Sequence, residues 1–413
     1  MNSRKVIVIG GGAAGLMAAG QAAQAGAKTL LLEKMKKPGR KICITGKGRC
    51  NITNIAARSE FISHFGKTGP FLHQAFARFF NDDLIRFFED LGLDLITERG
   101  GRVFPAAGKA TEVLDVLLKW ARQSGVEIRT SMPVEELSIE SAHVTGVVSH
   151  GEKINGNAVI LASGGASYPL TGSTGDGYKL AAAAGHRIVP IRPALVPLIT
   201  AGKCAGRMRD LNLRNVKVRM LLDNKKEQEA FGELVFSDFG LTGPVILTLS
   251  GYAVDALQNG RKVTFSLDLK PALDEQKLDA RLLRDFAKRG KEDFAIFLRG
   301  LLPREMVPIC LEEINMPGER KVHSVSAKER RRLKTWLKDF RLEVIGHRPL
   351  AEAIVTAGGV DTGEVDPRTM ESRLTRGLFL AGELLDIQGD TGGYNLQAAF
   401  STGWLAGNAA AKE

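Results

Sequence analysis

Val6-Ile7-Val8-Ile9-Gly10-Gly11-Gly12-Ala13-Ala14-Gly15 is the stretch that decides the fold. Four β-branched aliphatics read as a short buried strand. The glycines then form a turn, and Leu16 to Ala25, rich in Ala and Gln, has a helix former's composition. A strand feeding a GxGxxG turn into a helix is the dinucleotide fingerprint. Gly10 is expected to make the tight turn, Gly12 to let a pyrophosphate approach, and Gly15 to bring helix and strand together. Ala13 and Ala14 open the helix, whose free N–H groups and partial positive charge suit phosphate.

Downstream, Thr29-Leu30-Leu31-Leu32 reads as the second strand and ends in Glu33, 18 residues after Gly15. An acid there accepts from ribose hydroxyls, which fits an unphosphorylated ribose, as in FAD or NAD. Lys34 to Lys41 adds cations beside the predicted phosphate site. Gly39-Arg40-Lys41 and Thr45-Gly46-Lys47-Gly48-Arg49-Cys50-Asn51-Ile52-Thr53-Asn54 read as a loop wrapping an anionic, hydrogen-bonding ligand. Lys34, Lys41, Thr45, Gly46, Gly48, Arg49, Cys50 and Asn51 are its candidate contacts. A plain NAD domain has no need of such a loop.

Two later segments complete the pattern. Val159-Ile160-Leu161-Ala162-Ser163-Gly164-Gly165 is an apolar strand ending in a small-residue turn. It resembles the second flavin motif of two-dinucleotide-fold flavoproteins, so Ser163, Gly164 and Gly165 are candidate contacts. Thr174 to Gly185, with Asp176, resembles a segment of the fumarate reductase and succinate dehydrogenase flavoproteins. Near the end, Gly377 to Glu383 reads as a strand closed by an acid. Gly389-Asp390-Thr391-Gly392-Gly393-Tyr394-Asn395-Leu396-Gln397 then leads into a small-residue helix containing Gly403 and Gly407. In such flavoproteins an acid in the place of Glu383 meets the ribityl chain, and the helix start faces the flavin ring. Gly382, Gly392, Gly393, Tyr394, Asn395 and Leu396 are therefore candidates too, and the helix dipole there would stabilise a reduced flavin's negative charge. Asp390 reads as a turn residue.

Taken together, these segments resemble the BaiN-type, or aminoacetone-oxidase-like, FAD-binding flavoproteins over nearly the whole chain. The sharpest pieces are Gly46 to Asn54, Val355-Thr356-Ala357-Gly358-Gly359-Val360, and Gly382-Glu383 with Gly392 to Gln397. The resemblance implies an FAD-dependent oxidoreductase that moves hydride between flavin N5 and a small-molecule substrate. An FAD-dependent tRNA-modifying protein and an electron-transferring respiratory flavoprotein are the alternatives. One departure stands out. Phe236-Ser237-Asp238-Phe239-Gly240-Leu241-Thr242-Gly243-Pro244 lacks the histidine that relatives often carry in this run.

The expected fold class is α/β, a two-dinucleotide-fold, Rossmann-like FAD-binding domain with an inserted β-rich domain and a small helical subdomain. Residues 1–190 and 347–413 would form the cofactor domain, 191–270 with 338–346 the β-rich insert, and 271–337 the helical subdomain. Val216 to Leu222 and Val263 to Leu269 alternate as antiparallel strands, whereas Leu278, Leu282, Leu283 and Phe286 fall at helical spacing. Pro190 and Pro193 bracket the first crossing. The glycine-rich runs around Arg49 and over 356–360 are the loops expected to place substrate over the ring.

The net charge of +11 admits nucleic acid, an acidic membrane or anionic ligands as partners. Its densest run, Lys328 to Lys334, contains Glu329 and reads as a solvated helix face, which argues against nucleic acid. No stretch reaches the length of a membrane span. Cys43, Cys50, Cys204 and Cys310 have no CxxC or metal spacing, so reduced structural thiols in a cytoplasmic protein are expected, and no metal. Seven scattered histidines, among them His64 and His347, sit in no catalytic motif, and no catalytic residue is assigned. A dedicated NAD(P)H domain is not expected. NAD(P)H, where it serves as donor, would bind only transiently.

Overall fold

The computed structural model describes residues 3–412. By its contacts the chain divides into two units: residues up to Ala194 together with those from Leu350 onward, and Leu195–Pro349. The first unit holds a parallel sheet. Its strands are β1 (Lys5–Ile9), β2 (Lys28–Glu33), β3 (Glu127–Thr130), β4 (Ala158–Leu161) and, returning from the far end of the chain, β7 (Leu378–Leu380). Their spatial order is β7-β4-β1-β2-β3, every neighbour parallel. Val6, Ile7 and Val8 are wholly buried at the centre, which is why these strands read as continuous apolar runs.

Helix α1 (Ala13–Gln24) joins β1 to β2, and the C-terminal helix α4 (Tyr394–Lys412) lies directly against it. Small residues permit that contact. A Cβ on Gly403 would stand 2.3 Å from the Ala14 carbonyl oxygen, and one on Gly407 equally close to that of Ala18. The two positions are one helical turn apart and share a face, so this pair of glycines sets how near α4 comes to the fingerprint helix.

Two segments read as loops are ordered elements. Helix α2 (Arg40–Gly48) occupies the start of the cation-rich stretch, and its geometry breaks at Thr45, Gly46 and Lys47. Gly46, Lys47, Gly48 and Cys50 all take positive φ, so only the end of the segment is the expected loop. The 356–360 run is not a loop at all. It is β6 (Val355–Val360), fully buried and antiparallel to β5 (Ile188–Ala194). Its glycines serve packing: a Cβ on Gly358 would lie 2.2 Å from the Pro190 carbonyl oxygen. Both prolines of the expected crossing thus sit inside β5, and the second unit begins after it, at Leu195.

The second unit is a closed barrel of strands Leu198–Thr200, Gly240–Thr242, Lys225–Phe236, Asn212–Leu222, Val263–Asp268 and Phe340–His347. A helix, Pro244–Gln258, packs with it, and the helices Glu275–Lys288, Phe294–Leu298, Met306–Glu313 and Ala327–Lys338 fall within the 271–340 stretch. Leu278 and Leu282 are buried as their spacing required, whereas Leu283 is exposed. No helix among the described residues is long and apolar enough to cross a membrane.

Candidate cofactor site

The fingerprint turn divides its labour among three glycines. Gly10 takes φ +103°, and a Cβ there would strike the Ala162 carbonyl oxygen at 2.6 Å. A Cβ on Gly15 would lie 1.8 Å from the Gly10 carbonyl oxygen. Gly12 is different: its φ is −84°, and an added Cβ would meet nothing within 4 Å. That open space lies at the N-cap of α1, which no side chain caps and whose first turn holds no acid. The Leu16 N–H is bonded to the Gly12 carbonyl, and the N–H groups before it are the unsatisfied donors of a helix start. An anion with oxygen acceptors fits there.

Glu33, buried at the end of β2, accepts from the Gly11 N–H at 2.7 Å and from the Met35 N–H at 2.7 Å. Each carboxylate oxygen keeps further acceptor capacity for a ribose hydroxyl. Lys34 pairs with Asp176 at 2.6 Å and also donates to Thr174. Asp176 opens helix α3 (Asp176–Ala183), and the Lys34 partnership holds its carboxyl below the usual range against the opposing effect of its partial burial.

Glu383, in the 3₁₀ turn Gly382–Leu384 after β7, accepts from Lys41 Nζ at 2.6 Å, from the Thr356 N–H at 2.9 Å and from Ser167 Oγ at 3.2 Å. Lys41 also donates to Ser167 Oγ at 2.6 Å. Thr356 Oγ1 in turn accepts the N–H groups of Ala166 and Ser167. One polar network therefore joins α2, the turn after β4, β6 and the C-terminal block. Ser167 belongs to no motif, and Thr356 was legible only as part of a glycine-rich run. Tyr178 is buried on α3, and burial together with the Glu383 charge pushes its phenol up.

The remaining predicted residues fall around this network. Thr45 Oγ1 donates to the Lys41 carbonyl, and Gly164 takes φ +76°. A Cβ on Gly165 would lie 2.4 Å from Thr356 Oγ1. Gly382 donates to Thr402 Oγ1. Arg49 is occupied by Glu98 at 2.5 Å and lies over the Phe104 ring. The Cys50 thiol is fully buried, and burial, with a smaller effect of Cys43, pushes it up to about 12. Gly392 and Gly393 take φ +136° and +101° and bring Tyr394 to the start of α4, where Leu396 lies in the first turn. Asn395 spends its amide on its own loop, bonding Gly389 N–H and the carbonyls of Gly389 and Asp390.

Among the described residues, Ser163 Oγ, Asn51 Oδ1, Tyr178 Oη and Gln388 Oε1 are buried polar atoms of these segments that lack a partner. Buried polar groups are almost always satisfied. The Ser163 hydroxyl, beside Gly10 of the fingerprint turn, and the Asn51 amide oxygen, just after α2, are open to the kind of polar partner a nucleotide cofactor would bring. The residues fit FAD: Glu33 would hold the adenosine ribose, α1 the pyrophosphate, and the Glu383 network with the start of α4 the flavin half. The described residues contain no group of metal-ligating side chains.

The fold and the cofactor it accommodates define an FAD-dependent oxidoreductase. Within that class the chain belongs to the HI0933-like family, whose Rossmann domain matches residues 4–409. It is 34% identical to a 3-dehydro-bile acid delta(4,6)-reductase of Clostridium scindens, over 99% of both chains. It is 30% identical to a ribosomal RNA dihydrouridine synthase of Escherichia coli, over 96% of both. Among solved structures it resembles the 3-ketosteroid-delta4-(5alpha)-dehydrogenase of Rhodococcus jostii, with TM-score 0.50 and 15% identity, covering 99% of this chain and 97% of that one. It also resembles the E. coli quinol fumarate reductase flavoprotein, with TM-score 0.51 and 20% identity over 99% of this chain and 70% of the other. These two likenesses concern the fold. The BaiN-type resemblance, the fold class and the cofactor expected from sequence agree with these findings.

Proposed function

We propose that the chain saturates a carbon–carbon double bond conjugated to a carbonyl, on a small apolar molecule of the unsaturated-ketone class. One observation carries the reading. Two relatives aligned over almost their whole length bear names that describe this bond change, one on a 3-oxo bile acid and one on uridine in RNA. Bound FAD, once reduced, would supply the hydride. The protein's part is to bind, orient and provide a proton. The amide donors at the start of α4 would favour negative charge nearby, and the Lys41–Glu383–Ser167 network would fix the cofactor's position. Its reach from residue 41 to residue 383 supports a rigid site built from both ends of the cofactor unit.

The E. coli relative favours a second reading, reduction of uridine in RNA. Against it, three of the five cations in the densest basic run are ion-paired within the chain. Arg330 pairs with Asp279, Arg332 with Glu329, and Lys334 with Glu275. A basic face for RNA needs charges free to meet phosphates. Cytoplasmic placement belongs with either reading. The test is anaerobic: reduce the holoprotein with light, mix it with a 3-oxo-4-ene steroid or with a uridine-containing RNA, and follow flavin reoxidation. Reoxidation by the enone with formation of the saturated ketone supports the first reading. Reoxidation by RNA alone replaces it with the second.

A further inference from the structure

His64 closes the short helix Arg58–Ser63. It meets Asp390, which lies 326 positions away in the loop leading to α4. Two bonds join them. His64 Nδ1 lies 2.8 Å from Asp390 Oδ2, and the Asp390 N–H donates to the His64 carbonyl at 3.1 Å. A carboxylate can only accept, so Nδ1 carries hydrogen, and the other nitrogen, Nε2, makes no hydrogen bond among the described residues. The ring is fixed from a second side by Tyr394, stacked on it at a centroid distance of 4.0 Å. Tyr394 is itself wedged against buried Phe61 at 4.7 Å. The loop is rigid as well. Asn395 ties Gly389 and Asp390, and a Cβ on Gly389 would strike the Phe65 ring at 2.9 Å.

An imidazole oriented by a carboxylate through one nitrogen, with the other left open, is the arrangement of a general acid–base group. Here the orienting carboxylate, Asp390, stands four residues before the start of α4, which would face the flavin half of the cofactor. Both side chains are partly exposed, His64 at 28% and Asp390 at 30%, so the dyad is reachable yet held. Asp390 and Tyr394 are the titratable groups shown in contact with it, and Glu60, on the preceding helix, acts on Tyr394. Tyr394 is a poor rival as proton donor, since burial, then Glu60 and Asp390, push its phenol up to about 12.

We propose that His64, positioned by Asp390, is the catalytic acid that protonates the α-carbon of the substrate; this rests on the conjugated-double-bond reading above. The double bond gains a hydride at its β-carbon, which bound FAD, once reduced, would supply on its two-electron oxidation. It gains a proton at its α-carbon from His64 Nε2. The π bond is replaced by two C–H bonds, and His64 is reprotonated from solvent.

The experiment has three arms on the holoprotein with a 3-oxo-4-ene steroid. Diethyl pyrocarbonate labelling with peptide mass mapping should modify His64, and the steroid should protect it. His64→Gln should keep its flavin and bind the steroid within roughly threefold of wild type, while flavin reoxidation slows by about a hundredfold or more. Added imidazole should restore part of the rate to His64→Ala. A folded, flavin-loaded His64→Gln that reoxidises at the wild-type rate overturns the proposal. So does labelling of His64 that the bound steroid leaves unchanged, or the absence of imidazole rescue. A wild-type protein that no enone reoxidises overturns the underlying reading, and the role of His64 falls with it.

Discussion

Glu33 accepts the Gly11 N–H at 2.7 Å, so the acid at the end of β2 is bound to the fingerprint turn. A second oxygen holds Met35. The carboxylate therefore shapes the turn, and our proposal is that it also accepts from the adenosine ribose. Glu33→Ala is expected to weaken FAD binding by about 1.5–3 kcal/mol, the range for a hydrogen bond to a charged group. Flavin release followed by fluorescence measures it. Affinity equal to wild type would show that Glu33 acts on the turn alone.

Cys50 provides a test of burial. Its thiol is pushed from an ordinary 9.0 to about 12, chiefly by burial. Between these values the unfolded chain gives up its proton while the folded chain keeps it. Stability from this group is therefore complete below pH 9 and falls as pH rises. Native protein at about pH 8 should leave Cys50 unreacted with iodoacetamide, because the thiolate is the nucleophile. Labelling should appear on unfolding in guanidinium. Rapid labelling of native Cys50 would mean that the loop opens, or that the thiol is part of the chemistry.

A third expectation concerns the electron donor. The strands of the second unit form a barrel of antiparallel neighbours. A second dinucleotide site needs parallel strands with a crossover helix. Stopped-flow reduction by NADH or NADPH should therefore be slow and should not saturate at low micromolar concentration. Fast, tightly saturating reduction would require a nicotinamide site beyond the fold described.

Legibility followed the range of the interaction. Val6–Ile9 with its glycine turn, and Leu30–Leu32 with Glu33, are local patterns, and each formed the element that its pattern implied. Val355–Val360 misled because Gly358 and Gly359 look like loop residues. They are glycine because neighbouring backbone leaves no room for a Cβ, a fact fixed by Pro190 and Leu384. Arg40–Gly48 misled for the opposite reason. Its helix is brief and dissolves into left-handed residues at Gly46 and Lys47. His64 and Asp390 lie 326 positions apart, and no spacing rule links them. Ser167 joins the Glu383 network only because β4 and β7 are neighbours in the sheet.

The most direct measurement compares two variants of the fingerprint turn. Gly12 has an ordinary φ and open space in front of it, whereas a Cβ on Gly15 meets the Gly10 carbonyl at 1.8 Å. Gly12→Val should keep the circular dichroism of the wild type and lose its flavin, because the branched side chain fills the pyrophosphate's place. Gly15→Val should lose the fold of the cofactor unit along with the flavin. In the wild type, acid precipitation should free FAD into the supernatant. A folded Gly12→Val protein carrying a full complement of FAD would contradict the assignment of this turn as the cofactor site.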